Sequence, residues 1–133
     1  MKIINGIISE PINNDMKTND LRMPECRLKI LKCHQSSEGN GDEIFMMFGG
    51  QKFWPQKKYE KIKGSGEAAI NQVLYMSDPN EMISIELWEK DWLSSELLGY
   101  FQFNLDTKPG QYSTDLKLVE SINKHRYTLL WEI

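Results

Sequence analysis

Three acidic residues lie close together in the second half of the sequence, between two segments in which apolar and polar residues alternate. They are Glu89, Asp91 and Glu96. The flanking alternation is typical of β-strands, so the acids are expected on a loop that joins two strands. Carboxylates gathered on a rigid base of two strands are a common way to bind a hard cation such as calcium. This loop is the first candidate binding site in the chain.

The two segments that position this loop predict a strand pair. Ile83, Ile85 and Leu87 share one face of the first segment. Phe101 and Phe103 resume the alternation in the second. In a strand, every second side chain points to the same face, and we apply this alternation to the other segments as well. The predicted core then contains Leu28, Ile30, Phe45, Ile83, Ile85, Leu87, Phe101, Phe103, Leu129 and Trp131.

The chain from Cys26 onward predicts further strands, separated by turns rich in Gly, Pro, Asn and Asp. The clearest turns are Gly49-Gly50, Gly64–Gly66, Ser77–Asn80 and Thr107–Gly110. About eight short strands with turns every ~8–12 residues predict an all-β protein, an antiparallel β-sandwich. Residues 1–25 predict a short N-terminal arm or extension, and residues 26–133 the β-sandwich domain.

The length, net charge and apolar segments of the chain argue against several classes of function. With 133 residues the chain is expected to form one domain, and its net charge of −3 argues against nucleic-acid binding. No apolar segment approaches the ~20 residues that cross a bilayer. The first residues lack the ~7–15 continuous apolar residues of a secretory signal. The sequence thus predicts a cytoplasmic protein and leaves a leaderless export route open.

The cysteines and histidines give little support to catalysis. Cys26 and Cys33 are seven residues apart, an odd spacing that places two side chains on opposite faces of a regular strand. We therefore expect free thiols without a disulfide. Cys33 and the adjacent His34 would also face opposite ways, which excludes a nucleophile–base pair there. With His125 as the other histidine, we predict that the protein is not an enzyme.

Several segments resemble the calcium-dependent lipid-binding module called the C2 domain. Trp88–Asp91, followed after a short loop by Glu96–Gly99, resembles the third loop of that family. Asp42–Met46, after the loop Glu38–Gly41, is similar to the segment that follows its first loop. The closing Tyr127–Ile133 is similar to its last strand. The resemblance covers about residues 26–133 and implies a C2-like β-sandwich.

Carried over residue by residue, the resemblance implies a set of metal ligands in which calcium is a possible cofactor. The residues near calcium-ligating positions are Glu38, Asp42, Glu89, Asp91 and Glu96. Glu38 is included only as a substitute for a first-loop aspartate that this sequence lacks. Glu89 and Glu96 stand where the family has shorter aspartates, and the loop between them is a residue short. Because calcium takes ~6–8 oxygens, this set is incomplete. The alternative is a sandwich with ordinary solvated acids on its loops. The resemblance also places the two acidic loops at one end.

Apolar residues near these loops point to partner binding. Trp92 and Leu93 are expected at the tip of the loop. Trp54 and Tyr59 lie within a lysine cluster, Lys52–Lys63, whose second half is an expected edge strand. Such side chains could contact another protein or an anionic membrane. We prefer a protein-interaction module, of an accessory, effector or immunity type, because the metal ligand set is incomplete. The alternative is calcium-dependent phospholipid binding. Two alternatives to partner contact remain open. In one, Trp92 folds back on the sandwich, and in the other, the lysines simply face water.

Overall fold

The computed structural model describes residues 2–4, 7–11, 25–37, 39–76, 82–91, 93–105 and 108–133. These residues form twelve β-strands and no helix. The strands are β1 (Lys2–Ile4), β2 (Ile7–Pro11), β3 (Glu25–Gln35), β4 (Asp42–Phe48), β5 (Gln51–Trp54), β6 (Glu60–Ile62), β7 (Glu67–Met76), β8 (Met82–Lys90), β9 (Ser95–Asn104), β10 (Gln111–Asp115), β11 (Lys117–Leu118) and β12 (Arg126–Glu132).

The strands form two six-stranded sheets. The first has the order β1-β2-β7-β3-β12-β10, and the second the order β11-β9-β8-β4-β5 with β6 also paired to β4. Every pairing is antiparallel. The rings of Phe103 and Trp131, one from each sheet, stack with centroids 4.2 Å apart, so the inner faces pack together. The prediction of an all-β antiparallel sandwich is confirmed.

The core follows the predicted alternation over most strands. The predicted core residues that are buried are Leu28, Ile83, Ile85, Leu87, Phe101, Phe103, Leu129 and Trp131. Ile30 and Phe45 are only half-buried, so their prediction was wrong. In β4 the inward positions are instead Asp42, Ile44, Met46 and Phe48. Phe45 lies on the outer face and stacks on Trp88, with centroids 6.1 Å apart.

A β-bulge in β3 explains the position of Ile30. Leu28 pairs with Trp131 of β12, whereas Ile30 pairs with the adjacent Leu130, so β3 holds one extra residue between these two pairs. A bulge inserts an extra residue and reverses which positions face inward beyond it. The inward positions of β3 therefore change from Cys26 and Leu28 to Leu31 and Cys33.

Both cysteines face inward and are buried as a consequence of this bulge, and both are free. The expectation of free thiols agrees with the structure, but the reasoning from opposite faces was wrong because it assumed a regular strand.

The N-terminal strands extend the first sheet beyond β7. β1 pairs with β2, and β2 pairs with β7 from Ile7↔Met76 to Pro11↔Gln72. The segment assigned to an arm thus contributes strands to a sheet edge, and the division of the chain at residue 25 stays a prediction. The described part of the chain contains no helix long and apolar enough to cross a membrane.

Candidate functional site

Strand register brings three loops to one end of the sandwich. The β8–β9 hairpin closes at the pair Lys90↔Ser95, beside the start of β4, where Ile44 pairs with Glu89. Arg126, at the start of β12, pairs with Gln35 at the end of β3. Three loops therefore share one end of the sandwich, which we call the loop end. They consist of the described residues of 36–41, 91–94 and 119–125. The two acidic loops are at the same end, as the resemblance implies.

Asp42 is a fully buried carboxylate at this end, with both oxygens hydrogen-bonded. Its Oδ1 accepts from the backbone N and the Oγ of Ser37, each at 3.0 Å. Its Oδ2 accepts from the Tyr127 hydroxyl at 2.6 Å. Hydrogen bonds to a buried carboxylate compensate for its loss of hydration. Burial, together with the nearby Asp42 carboxylate, holds the pKa of Tyr127 above its ordinary value, so this hydroxyl stays a donor.

His125 lies beside Asp42 and Glu89. Its ring is 5% exposed, and its Nε2 is 3.6 Å from Oδ2 of Asp42 and 3.8 Å from Oε1 of Glu89. One donor atom from each of the three residues lies within 4.8 Å of the other two. We call this group the Asp42–Glu89–His125 cluster.

Two members of the cluster, Glu89 and His125, have shifted pKa values. The Glu89 carboxylate raises the pKa of His125, with further contributions from the Asp42 and Glu96 charges, against the opposing effect of burial. Contact with His125 lowers the pKa of Glu89, but burial and the charge of Asp42 together outweigh it and the net direction is upward. Each direction follows from acids and an imidazole sharing a poorly hydrated space.

The role of His125 was not predicted from the sequence, although a signal was present. His125 has the same parity as Tyr127, Leu129 and Trp131, so the alternation of β12 extended by one step places its ring on the inner face. Asp42 has the same parity as the apolar residues of β4. A polar residue on an inward position is the feature that reveals both members.

Of the other predicted metal ligands, Asp91 and Glu96 are described and do not belong to this cluster. Glu96 is exposed and lies directly across the ladder from Glu89. Asp91 is exposed on the loop, where its backbone N donates to the Ser94 carbonyl at 2.7 Å. Glu38 lies outside the described residues. The structure therefore brings together Asp42 and Glu89 of the predicted set and adds an imidazole.

The predicted contact residues differ in exposure. Leu93 is 91% exposed, whereas Trp92 lies outside the described residues. Tyr59 is half-buried, with the Lys90 ammonium 5.7 Å from its ring centroid. Trp54, which was predicted as a contact residue, is instead buried. It is 6% exposed, and its indole N donates to the Ala69 carbonyl at 3.1 Å. A core position that satisfies the indole nitrogen explains why Trp54 does not reach the surface.

A second exposed apolar side chain at the loop end was not predicted. Ile122, on the loop between β11 and β12, is 83% exposed, and Val119 on the same loop is 50% exposed. The backbone N of Val119 donates to the Leu98 carbonyl at 3.0 Å, which ties the start of this loop to β9. The loop lacks alternation, so its residues carry no periodic signal for these side chains.

Comparisons with known proteins show a likeness in architecture. One similar solved structure is described as a C2 domain, with a TM-score of 0.49 and 16% identity, covering 82% of this chain and 95% of that chain. Another holds two C2 domains, A and B, of Extended-Synaptotagmin 2, with a TM-score of 0.47 and 19% identity, covering 94% of this chain and 46% of that chain. No protein-family model and no curated protein matches the sequence.

Proposed function

We propose that this protein is a non-enzymatic binding module that contacts a partner protein through its loop end. The observation that carries the proposal is the exposure of Leu93 and Ile122, at 91% and 83%, on two loops of the same end. Exposed apolar patches are typical of interaction surfaces, and one partner docked on this end can cover both side chains. A partner that covers both side chains would gain the hydrophobic free energy of burying them.

The charges around these side chains favour a protein over an anionic membrane. Asp91 lies two residues before Leu93, and Ile122 lies between Glu120 and Lys124. Acids outnumber bases among these flanking residues, whereas attachment to anionic lipid relies on clustered lysine and arginine. The alternative, calcium-dependent phospholipid binding, would need calcium to reverse this charge.

The donor groups at the loop end give limited support to calcium. Calcium takes about 6–8 oxygen ligands. The described residues bring two carboxylates, Asp42 and Glu89, next to an imidazole nitrogen. A set with few oxygens and a nitrogen donor suits calcium poorly, so the calcium-dependent alternative is the weaker one.

The test compares variants at the two ends of the sandwich. Leu93→Ser combined with Ile122→Ser removes both apolar groups of the loop end. Met82→Ser is the control, because Met82 is 58% exposed and begins β8 at the opposite end. The partner is first identified by cross-linking to the wild-type protein in its source cells, and its affinity is then measured with purified proteins. We expect the double variant to bind at least about tenfold more weakly, or roughly 1.4 kcal/mol. The control should bind as the wild type does.

A vesicle experiment separates the two functions. Wild-type protein is mixed with phosphatidylserine-containing vesicles with and without calcium, and flotation is measured. Flotation that requires calcium and is lost in the double variant would replace the protein-binding proposal with the membrane alternative. Undiminished partner affinity of the double variant would contradict a contact through the loop end.

A further inference from the structure

His125 is buried without hydrogen bonds. Its ring is 5% exposed, and neither Nδ1 nor Nε2 has a hydrogen-bond partner. Buried polar atoms in folded proteins nearly always have a partner, and an unpaired one costs free energy. An ion is one of the few ways to satisfy such an atom.

The spacing of the neighbouring donor atoms fits an ion between them. Nε2 of His125 is 3.6 Å from Asp42 Oδ2 and 3.8 Å from Glu89 Oε1. Hydrogen bonds of this type are shorter, at about 2.7–3.2 Å. Two ligands of a tetrahedral zinc ion, bonded at about 2.0–2.2 Å, are separated by roughly 3.3–3.6 Å. The distances from Nε2 are thus close to those between two ligands of one small cation, and the three atoms all lie within 4.8 Å of one another.

The types of donor atom select the class of cation. Imidazole nitrogen suits zinc and other first-row transition metals, whereas calcium and magnesium prefer oxygen alone. The carboxylates of Asp42 and Glu89 would offset the charge of a dication. We infer that the Asp42–Glu89–His125 cluster binds a transition-metal dication of the zinc class, through Nε2 and one oxygen from each carboxylate.

The surroundings hold the ligands in place. Both oxygens of Asp42 are fixed by Ser37 and Tyr127, in the way that outer hydrogen bonds orient the carboxylate ligands of metal sites. Glu89 lies on β8, paired to Ile44 of β4 and to Glu96 of β9. The Glu89 side chain is 17% exposed, so the cluster reaches solvent on that side and a water could complete the coordination.

The test is a zinc titration of the whole, chelator-treated protein by calorimetry. We expect one zinc ion to bind per chain and the melting temperature to rise, because a ligand that binds only the native state stabilises it. His125→Gln should weaken zinc binding by more than about a hundredfold, since losing even an outer partner of a metal ligand costs about 10–100-fold. His34→Gln is the matched control. His34 is the other histidine of the chain and is exposed, so its loss should leave the affinity unchanged.

Two further measurements keep the inference testable if His125→Gln fails to fold. Glu89→Gln keeps the size of the side chain and should also weaken zinc binding. In the wild-type protein, zinc should shift the imidazole NMR signals of His125 and leave those of His34 in place. Absence of zinc binding, a shift confined to His34, or calcium binding that survives His125→Gln would overturn the inference. None of these measurements involves a partner protein, so their outcome is independent of the proposed protein binding.

Discussion

A single buried carboxylate, that of Asp42, organises the interior near the loop end. It is fully buried, and its hydrogen bonds join the loop after β3, the start of β4 and the start of β12. Burying a charge is costly unless hydrogen bonds replace the lost water. Ser37, five residues away, and Tyr127, 85 residues away, provide these bonds, so stability at this position depends in part on a residue that is distant in sequence.

Removing one of these donors gives a prediction at the scale of a residue. Tyr127→Phe keeps the buried ring and deletes the hydroxyl that donates to Asp42 Oδ2 at 2.6 Å. Because the acceptor is a charged group, we expect the free energy of unfolding to fall by about 1.5–3 kcal/mol. Urea unfolding followed by fluorescence measures the change.

Tyr112→Phe is the matched control for this prediction. Its hydroxyl donates at 2.6 Å to the uncharged carbonyl of Lys108, in an exposed position. Its loss should therefore cost clearly less than the loss of the Tyr127 hydroxyl. Equal costs for the two variants would show that the bond to Asp42 does not stabilise the fold as described.

At the scale of elements, alternation predicted most strands and their inward faces but not the irregularities between them. A bulge depends on how β3 pairs with both β7 and β12, where the register shifts. Those pairings join residues far apart in sequence, so no local pattern reveals them. For this reason the inward parity was correct at Leu28 and wrong at Ile30.

The sequence likewise predicted some residues of the candidate site and missed others. Asp42 and Glu89 were named from a resemblance in local pattern, and the structure places them together. His125 was missed because it reaches the cluster through the pairing of β12 with β3, which the sequence does not specify. The exposure of Ile122 also depends on a loop whose path is fixed by tertiary contacts, such as the bond from Val119 to Leu98.

The bulge in β3 makes a prediction about thiol reactivity. A regular strand would direct Cys26 and Cys33 to opposite faces, whereas the bulged strand buries both. Burial also raises the pKa of Cys26 to about 12 and raises that of Cys33, which suppresses the reactive thiolate. We expect neither thiol of the native protein to react with Ellman's reagent and both to react after unfolding.

A single added cysteine serves as the positive control for this measurement. Gln35 is exposed at the end of β3, so Gln35→Cys should give one rapidly reacting thiol in the native protein. One reactive thiol in the native wild-type protein would indicate that β3 is regular and that the bulge is absent.

At the scale of the whole molecule, the first sheet depends on strands from both ends of the chain. β2, near the start, covers one edge of β7, while β12, near the end, lies inside the same sheet between β3 and β10. An uncovered strand edge exposes unpaired N–H and C=O groups that can pair with another molecule. The N-terminal segment therefore has a structural role in addition to any part in binding.

Removal of residues 1–24 tests this role and the predicted domain division together. The shortened chain keeps β3 intact but loses β2, whose five residues pair with β7 from Ile7↔Met76 to Pro11↔Gln72. Each cross-strand pair contributes about 0.2–1 kcal/mol, so we expect a fold that persists with roughly 1–5 kcal/mol less stability. Urea unfolding measures the loss. Light scattering should also detect self-association through the uncovered edge of β7.

Removal of residues 1–6 is the control, because it deletes β1 and leaves β2 in place. This shorter deletion should lower stability less and cause less self-association than removal of residues 1–24. A shortened chain that stays monomeric and as stable as the full chain would show that residues 1–24 form a dispensable arm.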